Sequence, residues 1–491
     1  MASSPPVTPP NRDPEDEDDF RFQNNGTACE WGESYHPGGY HPVVLGDTLQ
    51  DRYRIIRKLG YGSFSTAWLA VDLHANCFTA LKIAVANLDT KATDHAVALY
   101  RSLPPDSSHH IVALRDSFHI QGPNGRHLCL SLDPIGPHLS TLLNHHAQAD
   151  GPNQPLDNLL DRPPRFPTTS LTRRVLRDAL LGLRTLHAHG IVHGDFHPGN
   201  ILANIPSLGA PLTDPSLETK FQQLPSQGKP LVRRDGKTDL WAPPYLLAPA
   251  PLQNDSEQLK QDFDKIVTPV ALRAPEVILR HHPHPHHTNS TDTTPPPPIG
   301  KAIDTWAFGC LIFELLTGRP LFIRLEALDG GDDDGEADTE GNEQTNDEHL
   351  IQLSEVLGPL PAGLAGRWRR RERYFGLEGE RLRVREGGRE GSDMGEDDDF
   401  DGGDGDDMDD VDDADDDEAA TSPMSTSSSF WLADVEKFAP LEDQLRDNKP
   451  EDMSDDEVEE VAKLIRWILD YDTSNRPSVE AILEHPWFKS L

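Results

Sequence analysis

The chain has 491 residues and a formal net charge of −38, from 83 acidic and 45 basic residues. That length suits a two-lobed enzyme with insertions better than one ordinary domain. The negative charge argues against direct binding of nucleic acid, whose phosphates it would repel, and favours basic protein partners. The four cysteines show no metal-type pair spacing, which indicates reduced thiols in an intracellular protein.

Neither a secretory signal nor a membrane span is predicted. The start, Met1 to Phe20, is Pro-rich and acidic rather than basic and then apolar. The most apolar run, 306–316, is interrupted by Glu314 and is too short to cross a bilayer. We therefore expect a soluble protein of the cytoplasm and nucleus that binds no membrane.

The chain is predicted to contain four successive parts. Residues 1–28 are expected to be disordered, and a lead-in segment covers 29–52. Residues 53–133 are predicted to form a small β-rich lobe, and 134–490 a larger, mostly helical lobe.

Periodicity predicts the elements within these lobes. The expected strands are 53–58, 65–72, 79–85, 111–120 and 127–132. Helices are expected near 92–103 and at 171–189, where apolar residues recur at helical spacing. Acidic or Pro-rich stretches bury little apolar area and are predicted to be disordered inserts, at 283–298, 329–346 and 391–429.

A glycine-rich turn between two strands is predicted at 59–69. Gly60 and Gly62 let the backbone approach phosphate without a Cβ in the way, and Ser65 stands where a third glycine often lies. The next strand carries Lys82, which is placed to pair with the α and β phosphates of ATP. The predicted nucleotide-binding residues are Leu59, Gly60, Tyr61, Gly62, Ser63, Phe64, Ser65, Thr66, Ala67 and Lys82.

The segment from His193 to Leu202 has the spacing of a phosphotransferase catalytic loop. Phosphoryl transfer needs a carboxylate to orient the attacking hydroxyl and a ligand to hold Mg²⁺ against the phosphates. Asp195 fits the first role and Asn200 the second. The predicted catalytic residues are therefore Asp195, Lys82 and Asn200, with ATP and Mg²⁺ as cofactors.

Three further segments follow in the order of the eukaryotic protein kinases, which the chain resembles. Residues 272–279 resemble the Ala-Pro-Glu segment, Asp304 the aspartate that braces the catalytic loop, and Arg476 the arginine that pairs with the Ala-Pro-Glu carboxylate. The resemblance implies an α+β, bilobal protein-kinase fold and a buried Glu276–Arg476 pair. Removing one partner of such a pair costs roughly 3–5 kcal/mol.

Within the kinases, the chain resembles a divergent, fungal-type member of the SR-protein kinases with a degenerate Asp-Phe-Gly region. The similar segments are 30–47, 59–70, 122–130, 373–382 and 484–488. The resemblance implies a serine/threonine kinase that acts in mRNA splicing regulation on serines of Arg/Ser-rich proteins and holds basic substrates in an acidic groove. We expect a monomer.

The chain also departs from the kinase pattern. Gly194 replaces the usual Arg of the catalytic loop, and His197 replaces a Lys near the γ-phosphate. The only acid between Thr93 and Leu103 is Asp94, so either Asp94 anchors Lys82 with a shorter reach or the anchor is missing.

The second metal ligand also departs from the kinase pattern. The sequence contains no Asp-Phe-Gly after Asn200; Asp262 is the first candidate and Asp239 the second. A chain without either would be a pseudokinase-like module that docks basic Arg-rich proteins without phosphoryl transfer. A third reading is a small-molecule kinase, because 193–200 also resembles the loop of aminoglycoside and choline phosphotransferases.

Overall fold

The computed structural model describes residues 6–103, 110–142, 168–204, 208, 211–214, 216–250, 252, 266–267, 274–279, 300–323, 339–376, 379–382 and 437–489. The chain divides into two compact units, Met1–Ile323 with Pro440–Leu491, and Arg324–Ala439. The predicted inserts 283–298 and 391–429 lie outside the described residues.

The first unit contains an antiparallel sheet of six strands in the order β1-β2-β3-β4-β6-β5. The strands are β1 (Thr48–Leu49), β2 (Tyr53–Gly62), β3 (Ser65–Asp72), β4 (Cys77–Ala84), β5 (Leu114–Gly122) and β6 (Gly125–Leu132). Their β-branched and aromatic residues favour extended backbone. The five predicted strands are confirmed, and helix α1 (Thr90–Ser102) stands where a helix was expected.

Both faces of this sheet are covered. Alternation along β3 sends Trp68 to one face and Leu69 to the other. The Trp68 face packs against Val43 of the lead-in and Leu247, whereas the Leu69 face packs against Phe221. Two distant segments of the chain therefore complete the core of the small lobe.

The N-terminal segment is more ordered than the sequence predicts. Phe22 is 5% exposed and bridges to Arg233, while Arg21 pairs with Glu33 at 2.9 Å. The expectation of disorder over 1–28 therefore fails for this stretch. The composition of residues 1–28 could not show this order, because the strand-like partner of Phe22, at Arg233, lies more than 200 residues away in the chain.

Two small sheets accompany the six-stranded one in the described part of the chain, one of three strands and one of two. Strand β7 (Ile135–His138) follows β6 closely and pairs with β8 (Leu202–Asn204), which also pairs with a later strand. The remaining strands and the short helix between them are α3 (Ser216–Phe221), β9 (Lys229–Pro230), β10 (Tyr245–Leu246) and β11 (Ile266–Val267). The three-stranded sheet has the order β11-β8-β7, and β9 and β10 form the two-stranded sheet.

The larger lobe of the first unit is helical. Its helices are α2 (Thr169–Ala188), α4 (Pro275–Ile278), α5 (Ala302–Thr317), α8 (Leu441–Asn448), α9 (Asp455–Ile468), α10 (Val479–Leu483) and α11 (Pro486–Lys489). Helix α2 confirms the helix predicted at 171–189, and the Thr168 hydroxyl caps its N-terminus. Together with the sheet, these helices confirm the predicted bilobal α+β fold.

Helix α5 forms the centre of this lobe. It is apolar around most of its circumference, with Trp306 and Phe308 fully buried, and it ends at Gly318 in the left-handed region. No helix in the described part of the chain is long and apolar enough to cross a membrane.

The second unit contains α6 (Thr339–Val356) and α7 (Ala362–Ala365). Trp368 is buried, and its indole N–H donates to Asp347 at 2.6 Å. Residues 339–346 lie in α6, which differs from the disorder predicted for 329–346. The acidic residues before position 339 dominate that stretch, and they obscured the start of the helix.

Candidate active site

A buried carboxylate holds the backbone of the predicted catalytic loop. Asp304 of α5 accepts the backbone N–H groups of His193 at 2.8 Å and Gly194 at 2.7 Å. It also accepts Nε2–H of His187 at 2.8 Å. Asp304 is 1% exposed, so these bonds form away from water. This geometry is the brace that the family resemblance implies.

The backbone conformation explains the glycine at position 194. Gly194 has φ +75°, in the left-handed region, and a Cβ built there would meet no atom within 4 Å. Glycine is therefore favoured at this position by the backbone conformation and not by a lack of space for a side chain. Just beyond it, Phe196 is buried against Phe308 of α5, with ring centroids 6.0 Å apart. Asp195 is thus held between two fixed neighbours.

Asp195 itself is exposed to solvent, and its backbone N–H donates to His193 Nδ1 at 3.3 Å. Desolvation by the surrounding loop raises the pKa of its carboxyl, and the His193 charge opposes that shift. A carboxylate with a raised pKa accepts a proton more readily. The Asp195 carboxylate is therefore suited to accept the proton of an attacking hydroxyl.

His197 contacts the predicted metal ligand. Its Nδ1 accepts the Gly199 N–H at 3.0 Å, so a neutral ring carries its proton on Nε2. Nε2 lies 3.4 Å from Nδ2 of Asn200, and an Asn200 amide turned by 180° would accept the Nε2–H with its oxygen. Burial, and then the charge of His193, lower the pKa of His197 to about 4, so the ring is neutral at pH 7.

The glycine-rich hairpin is open where a nucleotide could approach. Strand β2 ends at Gly62 and β3 begins at Ser65. A Cβ added to Gly60 or Gly62 would meet no atom within 4 Å, so the backbone faces open space. Tyr61 and Phe64 are exposed. The open space beside these two glycines leaves room for phosphate, whereas Thr66 is buried, and nucleotide binding by residues 59–67 stays a prediction.

Lys82 lies on β4, in register with Ala67 of β3 and Leu130 of β6. Its side chain is exposed, yet desolvation by nearby protein lowers the pKa of its ammonium. Among the described residues no carboxylate forms an ion pair with Lys82. Asp94 is exposed on α1 and its charge acts on His119, so the structure does not support Asp94 as the anchor.

The expected pair between Glu276 and Arg476 is confirmed. Arg476 donates Nη1–H to Glu276 Oε1 at 2.7 Å and Nη2–H to Oε2 at 2.8 Å. The two side chains are 3% and 0% exposed. This bidentate pair joins the Ala-Pro-Glu segment to the C-terminal part of the lobe, 200 residues later.

Comparison with known proteins places this arrangement in a family. The protein kinase domain family matches residues 53–488, which is most of the chain. The chain belongs to the protein kinase family. Kinases of this family use ATP and a divalent metal, and the order of the glycine-rich hairpin, Lys82, Asp195 and Asn200 is the family order.

The relatives of this kinase are SR-protein kinases, as the sequence predicts. It is 28% identical over 388 residues to the serine/threonine-protein kinase SRPK of Physarum polycephalum, covering 74% of this chain and 80% of that protein. It is 26% identical to protein kinase dsk1 of Schizosaccharomyces pombe, covering 72% and 75%. It is 34% identical to human SRSF protein kinase 3, covering 35% and 28%.

A solved kinase domain gives the same fold. It aligns with a TM-score of 0.50 and 18% identity, covering 91% of this chain and 98% of that chain. At that identity the likeness concerns the fold alone.

The second metal ligand of the kinase stays a prediction. Asp262 lies outside the described residues. Both oxygens of Asp239 are engaged, one by Arg21 and Arg233 and the other by backbone N–H groups, so the second candidate is held in an ion-pair cluster. Within the described ranges no three His, Cys, Asp or Glu side chains form a metal-type group. Asn200, the other predicted metal ligand, lies among the described residues, and its role as a ligand stays a prediction.

Sequence reasoning missed two contacts beside the nucleotide hairpin. Tyr40 of the lead-in donates its hydroxyl to the Gly62 carbonyl at 2.9 Å. Lys58 of β2 is fully buried and pairs with Glu30 of the lead-in. Arg54, Arg57 and Lys58 interrupt the apolar residues of β2, and a cation buried in such a strand needs an acid from elsewhere in the chain.

Proposed function

We propose that this kinase transfers phosphate from ATP, with Mg²⁺, to serines of Arg/Ser-rich proteins. The observation that supports the phosphotransfer is the loop fixed by Asp304, which carries both Asp195 and Asn200. The substrate class is supported by relatives named as SR-protein kinases. It is also supported by the net charge of −38, which favours basic substrates.

In the proposed mechanism Asp195 orients the serine hydroxyl and accepts its proton. As the hydroxyl oxygen bonds to the γ-phosphorus of ATP, the bond from that phosphorus to the β–γ bridging oxygen breaks, and ADP leaves. Lys82 holds the α and β phosphates through its ammonium group. Asn200, and Asp262 by the sequence prediction, would hold the divalent metal, which would neutralise charge on the phosphates.

The glycine at position 194 bears on regulation. Many kinases use an arginine at this position to grip a phosphorylated activation loop, and Gly194 offers no cation. We therefore propose that activity needs no phosphate on the activation segment. We further propose a monomer of the cytoplasm and nucleus, without direct binding of nucleic acid.

The test is phosphate transfer from radiolabelled ATP to an Arg-Ser repeat peptide in the presence of Mg²⁺. Wild type should phosphorylate this peptide and not one in which each Ser is Ala. Asp195→Ala should lose transfer by at least about 10²-fold, because the proton acceptor is gone. Asp443→Ala, which removes an exposed carboxylate on α8, is the matched control and should leave the rate unchanged.

The result also separates the pseudokinase alternative. Equal transfer by wild type and Asp195→Ala would refute the proposed reaction. If the peptide then bound without phosphorylation, the chain would be a module that docks basic proteins. Phosphorylation of peptides that lack Arg would refute the substrate class while leaving the kinase activity intact.

A further inference from the structure

The lead-in segment touches the nucleotide hairpin directly. The Tyr40 hydroxyl donates to the Gly62 carbonyl at 2.9 Å, and the Tyr40 ring is only 7% exposed, packed beside Tyr35. Burial raises the pKa of Tyr40 to about 12, so the hydroxyl keeps its proton as donor. The contact lies within the glycine-rich turn, at a residue without a side chain of its own.

The backbone of the lead-in also holds the end of the strand that carries Lys82. Gly39 accepts the Ala86 N–H at 3.1 Å, and Gly38 accepts the Asn87 N–H at 2.9 Å. The preceding Val85 N–H donates to the Phe64 carbonyl of the hairpin turn at 3.0 Å. One short network therefore links the lead-in, the turn and the segment that follows β4.

The backbone of Tyr40 is held by Asn124, from the turn between β5 and β6. The Asn124 side chain donates to the carbonyls of Tyr40 at 2.5 Å and Trp241 at 2.9 Å, which ties the lead-in to the segment after the catalytic loop. Below it, the buried Lys58 ammonium binds Glu30 and the Leu247 carbonyl. The Tyr40 hydroxyl is thus presented by a rigid support rather than by a loose terminus.

We propose that Tyr40 is a positioning residue for ATP: by holding the Gly62 carbonyl, it fixes the glycine-rich turn in the form that receives the phosphates. The turn needs an outside restraint because Gly60 and Gly62 gain no packing from side chains. Lys82 also pairs with no carboxylate in the described part of the chain, so alignment of the phosphates depends more on the turn. This inference rests on the proposed function.

The experiment compares Tyr40→Phe with Tyr245→Phe. Both variants keep the ring and lose one hydroxyl that bonds to backbone in the same lobe. The Tyr245 hydroxyl accepts the Leu45 N–H at 3.1 Å and does not touch the turn. The readouts are ATP affinity by calorimetry, KM for ATP and for peptide, and hydrogen exchange of residues 58–66 in the protein without nucleotide.

Tyr40→Phe should raise the Kd and KM for ATP about 3–10-fold, the size of one lost hydrogen bond, and leave KM for peptide within about twofold. Exchange over 58–66 should become faster in Tyr40→Phe alone. Unchanged ATP affinity, or an equal loss in Tyr245→Phe, would overturn the inference. If wild type bound no ATP, the proposed function would fail as well, and the exchange data would still show whether Tyr40 restrains the turn.

Discussion

Removing either partner of the Glu276–Arg476 pair should destabilise the kinase strongly. Each of its two charge-assisted hydrogen bonds is worth roughly 1.5–3 kcal/mol. Loss of one partner leaves the other charge buried, at a cost of roughly 3–5 kcal/mol. Arg476 also donates to the carbonyls of Asp470 and Ala302, so Glu276→Gln leaves the guanidinium only partly satisfied. We expect Tm to fall by roughly 4–8 °C.

The assay is chemical denaturation of Glu276→Gln, Arg476→Met and the double variant. The double variant should lose less than the sum of the singles, because neither buried charge is then left alone. Arg446→Met is the control, since Arg446 and Asp443 form an ion pair of 2.9 Å in which both side chains are about half exposed, and it should cost less than about 1 kcal/mol. Single variants as mild as this control, or additive losses, would refute the reasoning.

Two further predictions concern the catalytic loop and pH. Gly194→Ala should lower the free energy of unfolding by about 1–2 kcal/mol, because position 194 has a positive φ. Gly300 is the control, since it also faces open space but has no positive φ, and Gly300→Ala should change the free energy of unfolding by less than about 0.5 kcal/mol. Equal effects of the two substitutions in chemical denaturation would contradict this prediction. Burial, and then the charge of His127, lower the pKa of His41 to about 4, so the unfolded chain binds the proton first as pH falls below 6.5. Stability should therefore drop by about 2–3 kcal/mol between pH 6.5 and 4, and His41→Gln should flatten that slope in urea titrations.

Much of the active site could be predicted because its chemistry is local. The hairpin needs two glycines and flanking alternation, and the catalytic loop needs Asp195 and Asn200 at a fixed spacing. Each of these patterns occupies a stretch of about ten residues, so a single sequence is enough to recognise it. The anchor of Lys82 could not be predicted in this way, because it depends on where a separate helix places its side chains.

The sequence by itself determined the family, the order of the motifs, five strands of the small lobe and two helices, since periodicity and motif spacing depend on near neighbours. Only the tertiary structure showed that Phe22 pairs with Arg233 and that the Tyr40 hydroxyl reaches the Gly62 carbonyl. Contacts of that kind arise when distant segments meet and bury apolar area together. The composition of one segment does not show which distant segment it will pack against.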